Sequence, residues 1–205
     1  MSPRRWLVAV VAIVALVSCG SDDDEEPARA LDSPSLPGFT VVSDANAGFA
    51  VSVPESWRQL PLDVGSFDAA ADKVRQESDK VGPALTQLKS VVRNGANAAV
   101  VDPATGSTVN LIVLPADSDP DEIATQAAIQ LRGTGATDLQ KEEVTVDGVS
   151  AVRQRFLLPF PSEAGGVVQL RESQYYVVRR DKAYILTLVG ESPDLDRIAS
   201  SFQLA

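Results

Sequence analysis

Hydrophobic and polar positions divide the chain beyond residue 38 into short alternating runs and longer runs of helical spacing. Gly38–Val42 and Phe49–Val53 read as strands, the second with Phe49, Val51 and Val53 on one face and Pro54 as its stop. Ser66 reads as a helix cap, after which Phe67, Ala71, Val74, Val81, Leu85, Leu88 and Val92 keep to one helical face. Gly82-Pro83 interrupts that face, so the pattern predicts either a kink or two consecutive helices, 67–81 and 83–92. Residues 98–101 and 109–114 follow as a strand pair, the second apolar on both faces as a central strand is. Asp119-Pro120-Asp121-Glu122 then supplies a cap, a first-turn proline and early acids. The helix it starts buries Ile123, Ala127 and Leu131 and ends at Gly133 and Gly135.

The remainder is mostly strand. Asp147-Gly148 between 143–146 and 149–156 is a type I′ hairpin signal, and 157–166 reads as a Pro/Gly loop. Residues 167–178 and 183–189 form a second hairpin across the turn Arg179–Lys182. Ser192-Pro193 opens a last helix that turns Leu195, Ile198, Ala199 and Phe202 inward. The order β-β-α-β-β-α-β-β-β-β-α, with adjacent hairpins, predicts an α+β fold: a central antiparallel sheet flanked by helices.

The amino terminus follows a different pattern. Arg4 and Arg5 precede the unbroken apolar run Leu7–Val17, which is shorter than the roughly 20 residues a spanning helix needs. The acids Asp22–Glu26 lie just beyond, on the side opposite the arginines, as the positive-inside rule requires. Leu16-Val17-Ser18-Cys19 resembles the bacterial lipobox, which implies cleavage between Ser18 and Cys19 and acylation of Cys19 by palmitate-like chains. Residues 1–18 are thus read as a lipoprotein signal peptide, 19–38 as an acidic Ser/Pro-containing tether, and 39–205 as one domain. The predicted location is the extracytoplasmic face of the cell membrane, with membrane lipid as one partner through Cys19.

Composition narrows the chemistry. The 205 residues include 18 Lys+Arg, 28 Asp+Glu, one Cys and no His, for a formal net charge of -10. Without His there is no Ser-His-Asp or Cys-His nucleophile and no His-containing zinc site. An acidic chain is a poor nucleic-acid binder. Asp117, Asp119 and Asp121 span a helix start, where acids suit the helix dipole without any ligand, so neither a metal site nor a cofactor is predicted. Arg171, Arg179, Arg180 and Lys182 gather around the second hairpin, with Arg153 and Arg155 on a neighbouring strand, as a local cationic patch on an acidic protein. Alternation sends Tyr175 and Tyr176 to opposite faces. Tyr175 therefore joins that patch as a candidate binding residue, and Trp57, beside Pro54 and Pro61, is a candidate groove residue or a core residue.

The stretch Gly48-Phe49-Ala50-Val51-Ser52-Val53-Pro54-Glu55-Ser56-Trp57 resembles the opening of PsbP-like and Mog-type domains. With the helical stretch that follows, Ala99–Pro103, Val109–Val113, the Asp147-Gly148 hairpin, Gln174–Val189 and the Ser-Pro-capped last helix, the chain resembles LpqN/LpqT-type actinobacterial lipoproteins. The resemblance covers residues 38–204 and implies an α/β/α sandwich with no catalytic motif. The preferred reading is a non-catalytic cell-envelope binding or assembly module for an envelope protein or ligand. Two alternatives are a carrier of a small hydrophobic molecule or lipid, in a groove under helix 67–92, and a carboxylate-dependent envelope hydrolase.

Overall fold

In the computed structural model, which describes residues 36–161 and 166–205, the Phe49–Val53 alternation becomes strand β2 (Phe49–Pro54), buried along its whole length. The signal peptide, Ser18, Cys19 and the acidic run Asp22–Glu26 lie outside the described residues. β2 pairs antiparallel with β1 (Phe39–Asp44), and the turn between them is closed by Asp44, whose Oδ1 accepts the Asn46 and Ala47 N–H groups. The chain end returns as β10 (Gln203–Leu204) on the other side of β2, completing a three-stranded sheet.

A second, seven-stranded antiparallel sheet carries the main architecture. Its strands are β3 (Arg58–Gln59), β4 (Ala98–Val101), β5 (Thr108–Pro115), β6 (Thr137–Val146), β7 (Val149–Pro161), β8 (Val167–Arg179) and β9 (Lys182–Val189). They lie in the order β3-β4-β5-β9-β8-β7-β6. Alternation assigns each side chain to a layer. Ala99 and Val101 pack under α1 (Val64–Glu77) and α2 (Gly82–Arg93), together with Phe67, Val74, Leu85 and Leu88. Val152, Tyr176 and Ile185, on the same face of the sheet, pack under Ile123, Ala124 and Ala127 of α3 (Pro120–Gly133). Val100, Leu111, Tyr175, Val177 and Leu186 point the other way, against β2 and the short helix α4 (Leu195–Ser200). The result is three layers, helices on one face and the small sheet with α4 on the other. Each fully buried Leu in these clusters contributes roughly 1.5–3 kcal/mol.

Several sequence expectations are met in detail. Asp119 Oδ1 accepts the Glu122 N–H at 2.8 Å, so it is the helix cap that the Asp-Pro-Asp-Glu run announced. Asp147 and Gly148 both take positive φ, 48° and 76°, as a type I′ turn demands. Other expectations are corrected. The cap of α1 is Asp63, not Ser66, because Asp63 Oδ1 accepts the Ser66 N–H. The long helical run splits at Ser78–Val81 through one 3-10 turn, which puts Pro83 in the first turn of α2, where its missing N–H costs nothing. Pro159 and Pro161, taken as loop markers, extend β7 to Pro161 instead. The last helix begins beyond Ser192-Pro193, at Leu195, and Asp194 at its cap makes no side-chain capping bond. The two-residue strands β3 and β10 carry too little pattern to be seen in advance.

Candidate functional site

Pairing registers set opposite environments on the two faces of the main sheet. On the face away from α1, α2 and α3, Gln140, Arg155, Ser173 and Leu188 form one cross-strand row. Glu142, Arg153, Tyr175 and Leu186 form the next row on that face. Leu157 opposite Arg171 continues it toward the end of the β7–β8 hairpin. At this end β9 stops at Val189, and Gly190, at φ 107°, turns the chain away toward α4. The turn leaves a cleft of about 400 Å³ lined by Arg155, Arg171, Ser173, Tyr175, Ser192 and Leu195, among others.

The cleft carries both charges, Arg155 and Arg171 with Glu191 and Asp196, and the two arginines are held very differently. Glu142 Oε1 accepts Arg153 Nε at 2.6 Å and lies 3.1 Å from Arg155 Nη2. The hydrogen bond from Arg153 holds the Glu142 carboxyl below the usual carboxylate range, with the charges of Arg153 and Arg155 adding to it. Arg153 also donates to the Tyr175 hydroxyl at 3.2 Å and lies 5.7 Å from the centre of its ring. Among the described residues Arg171 has only Glu191, at 3.8 Å, with both side chains largely exposed. Such a pair is worth little, so Arg171 is available to another anion.

Of the sequence-predicted surface residues, Arg171 and Tyr175 are brought together in this cleft, Tyr175 as a core residue only 7% exposed, and the others are not. Trp57 is 5% exposed in the core beside Val53 and Val100, a core residue and not the lining of a groove. Arg179, Arg180 and Lys182 sit at the opposite end of β8, because a strand of this length separates Arg171 from the turn by roughly 25 Å. There Arg179 lies 3.5 Å from Asp147, and Lys182 donates to the Asn46 carbonyl at 3.0 Å. The first pair joins β8 to the β6–β7 turn within the large sheet, and the second ties the turn of the small sheet to β9. Arg155, mentioned in the sequence only as a neighbour of the patch, is part of the cleft because of its register opposite Ser173. Ser192 reaches the cleft from the loop after β9, for which no periodicity exists, and Leu195 from the first turn of α4.

The helix-covered face holds a different polar group. Asn110, Thr187, Gln174 and Gln154 form one row across the four central strands, and Thr108, Val189, Glu172 and Phe156 form the next. Glu172 is 2% exposed. Its Oε1 accepts Gln87 Nε2 from α2 at 2.7 Å, and no cation is among the groups acting on it, so burial pushes its carboxyl up to about 7. Gln154 donates to the Ala124 carbonyl of α3 at 2.7 Å, and the Tyr176 hydroxyl donates to Gln174. Burial, with the Glu172 charge adding, raises the Tyr176 hydroxyl well above its usual range. Gln87 Oε1, Thr108 Oγ1 and Asn110 Nδ2 are buried without a hydrogen-bond partner. No pattern announces this row, since Glu, Gln and Asn in strands read as solvent-facing positions.

The groove expected under helix 67–92 does not form. Phe67, Val74, Leu85, Leu88 and Val92 are packed with Ala99 and Val101 in one buried cluster, so the residues that were to line it fill it. For hydrolysis, the cleft does carry two carboxylates, Glu191 and Asp196, and both are exposed. The carboxyl that burial brings near neutrality, Glu172, points to the other face of the sheet.

No protein-family model matches the chain, and no curated protein sequence matches it. Among solved structures, the chain is similar to the solution structure of cyanobacterial PsbP (CyanoP) from Synechocystis, with a TM-score of 0.51 and 14% identity over 93% of this chain and 99% of that one. LpqN, involved in cell envelope biogenesis of Mycobacterium tuberculosis, matches at a TM-score of 0.39 and 16% identity, over 80% and 84% of the two chains. A Pseudomonas aeruginosa protein of unknown function, a putative regulator, matches at 0.29 and 16%, over 78% and 87%. The first of these likenesses shows the fold, which is α+β and PsbP-like.

Proposed function

We propose that the chain is a non-catalytic binding module of the cell envelope, anchored through acylated Cys19 and presenting the cleft at the end of β8 to an anionic group of an envelope protein or small ligand. The observation that carries this reading is the cleft where Arg155 and Arg171 meet Ser173 and Leu195 alongside the exposed acids Glu191 and Asp196, with Arg171 only weakly paired. An incoming anion there would replace an exposed Arg171–Glu191 pair at little cost. Half-buried Leu195 offers apolar surface beside the charge, over the buried ring of Tyr175, as ligand sites commonly do. A binding role is favoured over hydrolysis because general acid catalysis needs a carboxyl held in an apolar setting beside its substrate. Glu191 and Asp196 are open to solvent instead.

The test is a titration of the isotope-labelled domain with succinate and with inorganic phosphate, following the Arg155 and Arg171 Nε–H signals. Saturable shifts that disappear in an Arg155→Ala/Arg171→Ala variant are expected. Shifts no larger than those of Arg58, which lies far from the cleft, would count against the reading. Mass spectrometry of the full-length protein from membranes tests the anchor, with acyl mass on the fragment that starts at Cys19 and its loss in Cys19→Ala.

A further inference from the structure

The β7–β8 hairpin runs past its neighbours. β8 pairs with β7 from Val167 onward, while β9 pairs with β8 only from Glu172 onward. On the other side, β6 reaches β7 only as far as Leu157. Residues 158–161 and 167–171 therefore form a two-stranded ribbon with two edges that no strand of the sheet covers. In an antiparallel strand both backbone polar groups of a residue point to the same side, alternating along the chain. The Arg171 carbonyl accepts the Gly190 N–H at 2.9 Å, so Arg171 faces the β9 side, and by alternation Gln169 and Val167 face it too.

The two edges are not equivalent. The β8 residues that face β7 are Leu170 and Val168, opposite Leu158 and Phe160, so the β7 residues that face away from β8 are Pro159 and Pro161. Neither has an N–H to offer, and proline on an edge is a standard block against strand addition. On the β8 edge the corresponding residues, Val167 and Gln169, carry both N–H and C=O. No charge guards the run Val167-Val168-Gln169-Leu170, and Val167 is 61% exposed. The open edge leads directly to Arg171, whose exposed 3.8 Å pair with Glu191 is the weakest ion pair at the cleft, while Arg155 is held by Glu142 at 3.1 Å.

We infer that the β8 edge at Val167–Arg171 receives an extended segment of a partner protein as an added antiparallel strand, with an acidic side chain of that segment reaching Arg171. The inference rests on the cleft reading for its charge preference and on the ribbon alone for its backbone pairing. The edge supplies affinity through main-chain hydrogen bonds and the cleft supplies selectivity, the division of labour in strand addition. A second copy of this chain fits less well, because antiparallel self-pairing centred on Gln169 sets each Arg171 opposite the Val167 of its mate, where it meets no acid.

The probe is a fluorescein-labelled peptide, Thr-Val-Glu-Val-Thr-Val, titrated by anisotropy against the folded domain. Gln169→Pro removes one outward N–H and leaves the β7 ladder intact, and Val167→Glu adds a guard charge of the sign that repels an acidic segment. Each should weaken the peptide about five- to tenfold, the effect of losing one main-chain hydrogen bond or desolvating one charge, with melting temperatures close to the parent. Alternate N-methylation of the peptide should weaken it as much. Replacing the peptide Glu by Gln should matter in the parent and not in Arg171→Ala. Binding that ignores Gln169→Pro and N-methylation, yet still prefers Glu, overturns the strand and leaves the cleft reading standing. Binding that loses its sensitivity to Glu but keeps it to Gln169→Pro sinks the cleft and retains the edge. Complete absence of peptide binding, or a concentration-dependent dimer that Gln169→Pro abolishes, overturns the partner-strand inference.

Discussion

Along β8, Glu172 points to the helix-covered face and is 2% exposed, while Arg171 and Ser173 on either side of it point to the cleft. The helix-covered side holds a polar row that is closed over and short of partners. The other side holds charged groups that have partners, tightly where Arg153 meets Glu142 at 2.6 Å and loosely at the cleft, where Arg171 lies 3.8 Å from Glu191. On the first face, polar groups cost stability, and their retention fixes where α2 and α3 sit: Gln87 meets Glu172 and Gln154 meets the Ala124 carbonyl. On the second, polar groups cost almost nothing and remain free to exchange partners. A buried polar side chain thus marks the placement of a helix here, and an exposed, weakly paired one marks recognition.

The harshest way to disturb this division is at Gly190, where β9 leaves β8 and the cleft opens. A Cβ there would lie 2.9 Å from the Ser107 Cβ, and the residue would have to keep φ 107°. Gly190→Ala should lose about 3–5 kcal/mol, from backbone strain and overpacking together, read as a fall in the denaturation midpoint. Smaller but more specific is Glu172→Gln. The folded-state carboxyl sits at about 7 against an ordinary 4.5. The folded form therefore holds its proton over a range where the unfolded form has released it. The stability this carboxyl permits is full below 4.5 and is lost as the pH rises toward 7. The parent should thus lose on the order of 3 kcal/mol from pH 4.5 to pH 7.5 through this group, and Glu172→Gln should remove that slope. An unchanged slope in the variant would mean that another group carries it.

The contrast between the two faces also explains what could be read in advance. Phe49, Val51 and Val53, the Asp119 cap and the Asp147-Gly148 turn act through local geometry, so their pattern was sufficient. The α+β class and the place of each helix followed from such signals. Arg171 and Tyr175 were legible only as members of a patch around the second hairpin; the cleft they share depends on the turn at Gly190. Their separation from Arg179, Arg180 and Lys182 was not, since nearness in sequence around a hairpin was taken for nearness in space. Glu172 was invisible for a deeper reason. Whether a Glu in a strand faces water depends on whether a helix covers that face, and Gln87 stands 85 residues away in the chain. Pro159 and Pro161 misled in a useful way: the residues that announce a loop are also those that protect an edge.

Thr108 and Arg171 give the two smallest effects and the finest separation of the faces. Thr108 Oγ1 is buried without a partner, beside Val101 and Val189 in the pairing register. Valine has the same shape without the hydroxyl, so Thr108→Val should gain about 1 kcal/mol in chemical denaturation. A loss instead would show that a water fills the gap and satisfies the hydroxyl. Arg171→Ala should change stability by less than about 0.5 kcal/mol, because it removes only an exposed, long ion pair. The same variant should abolish the saturable response of the cleft to phosphate and succinate. If Arg171→Ala destabilised the fold as much as the change at Glu172, the cleft side would be structural after all, and the two faces of β8 would not be doing different things.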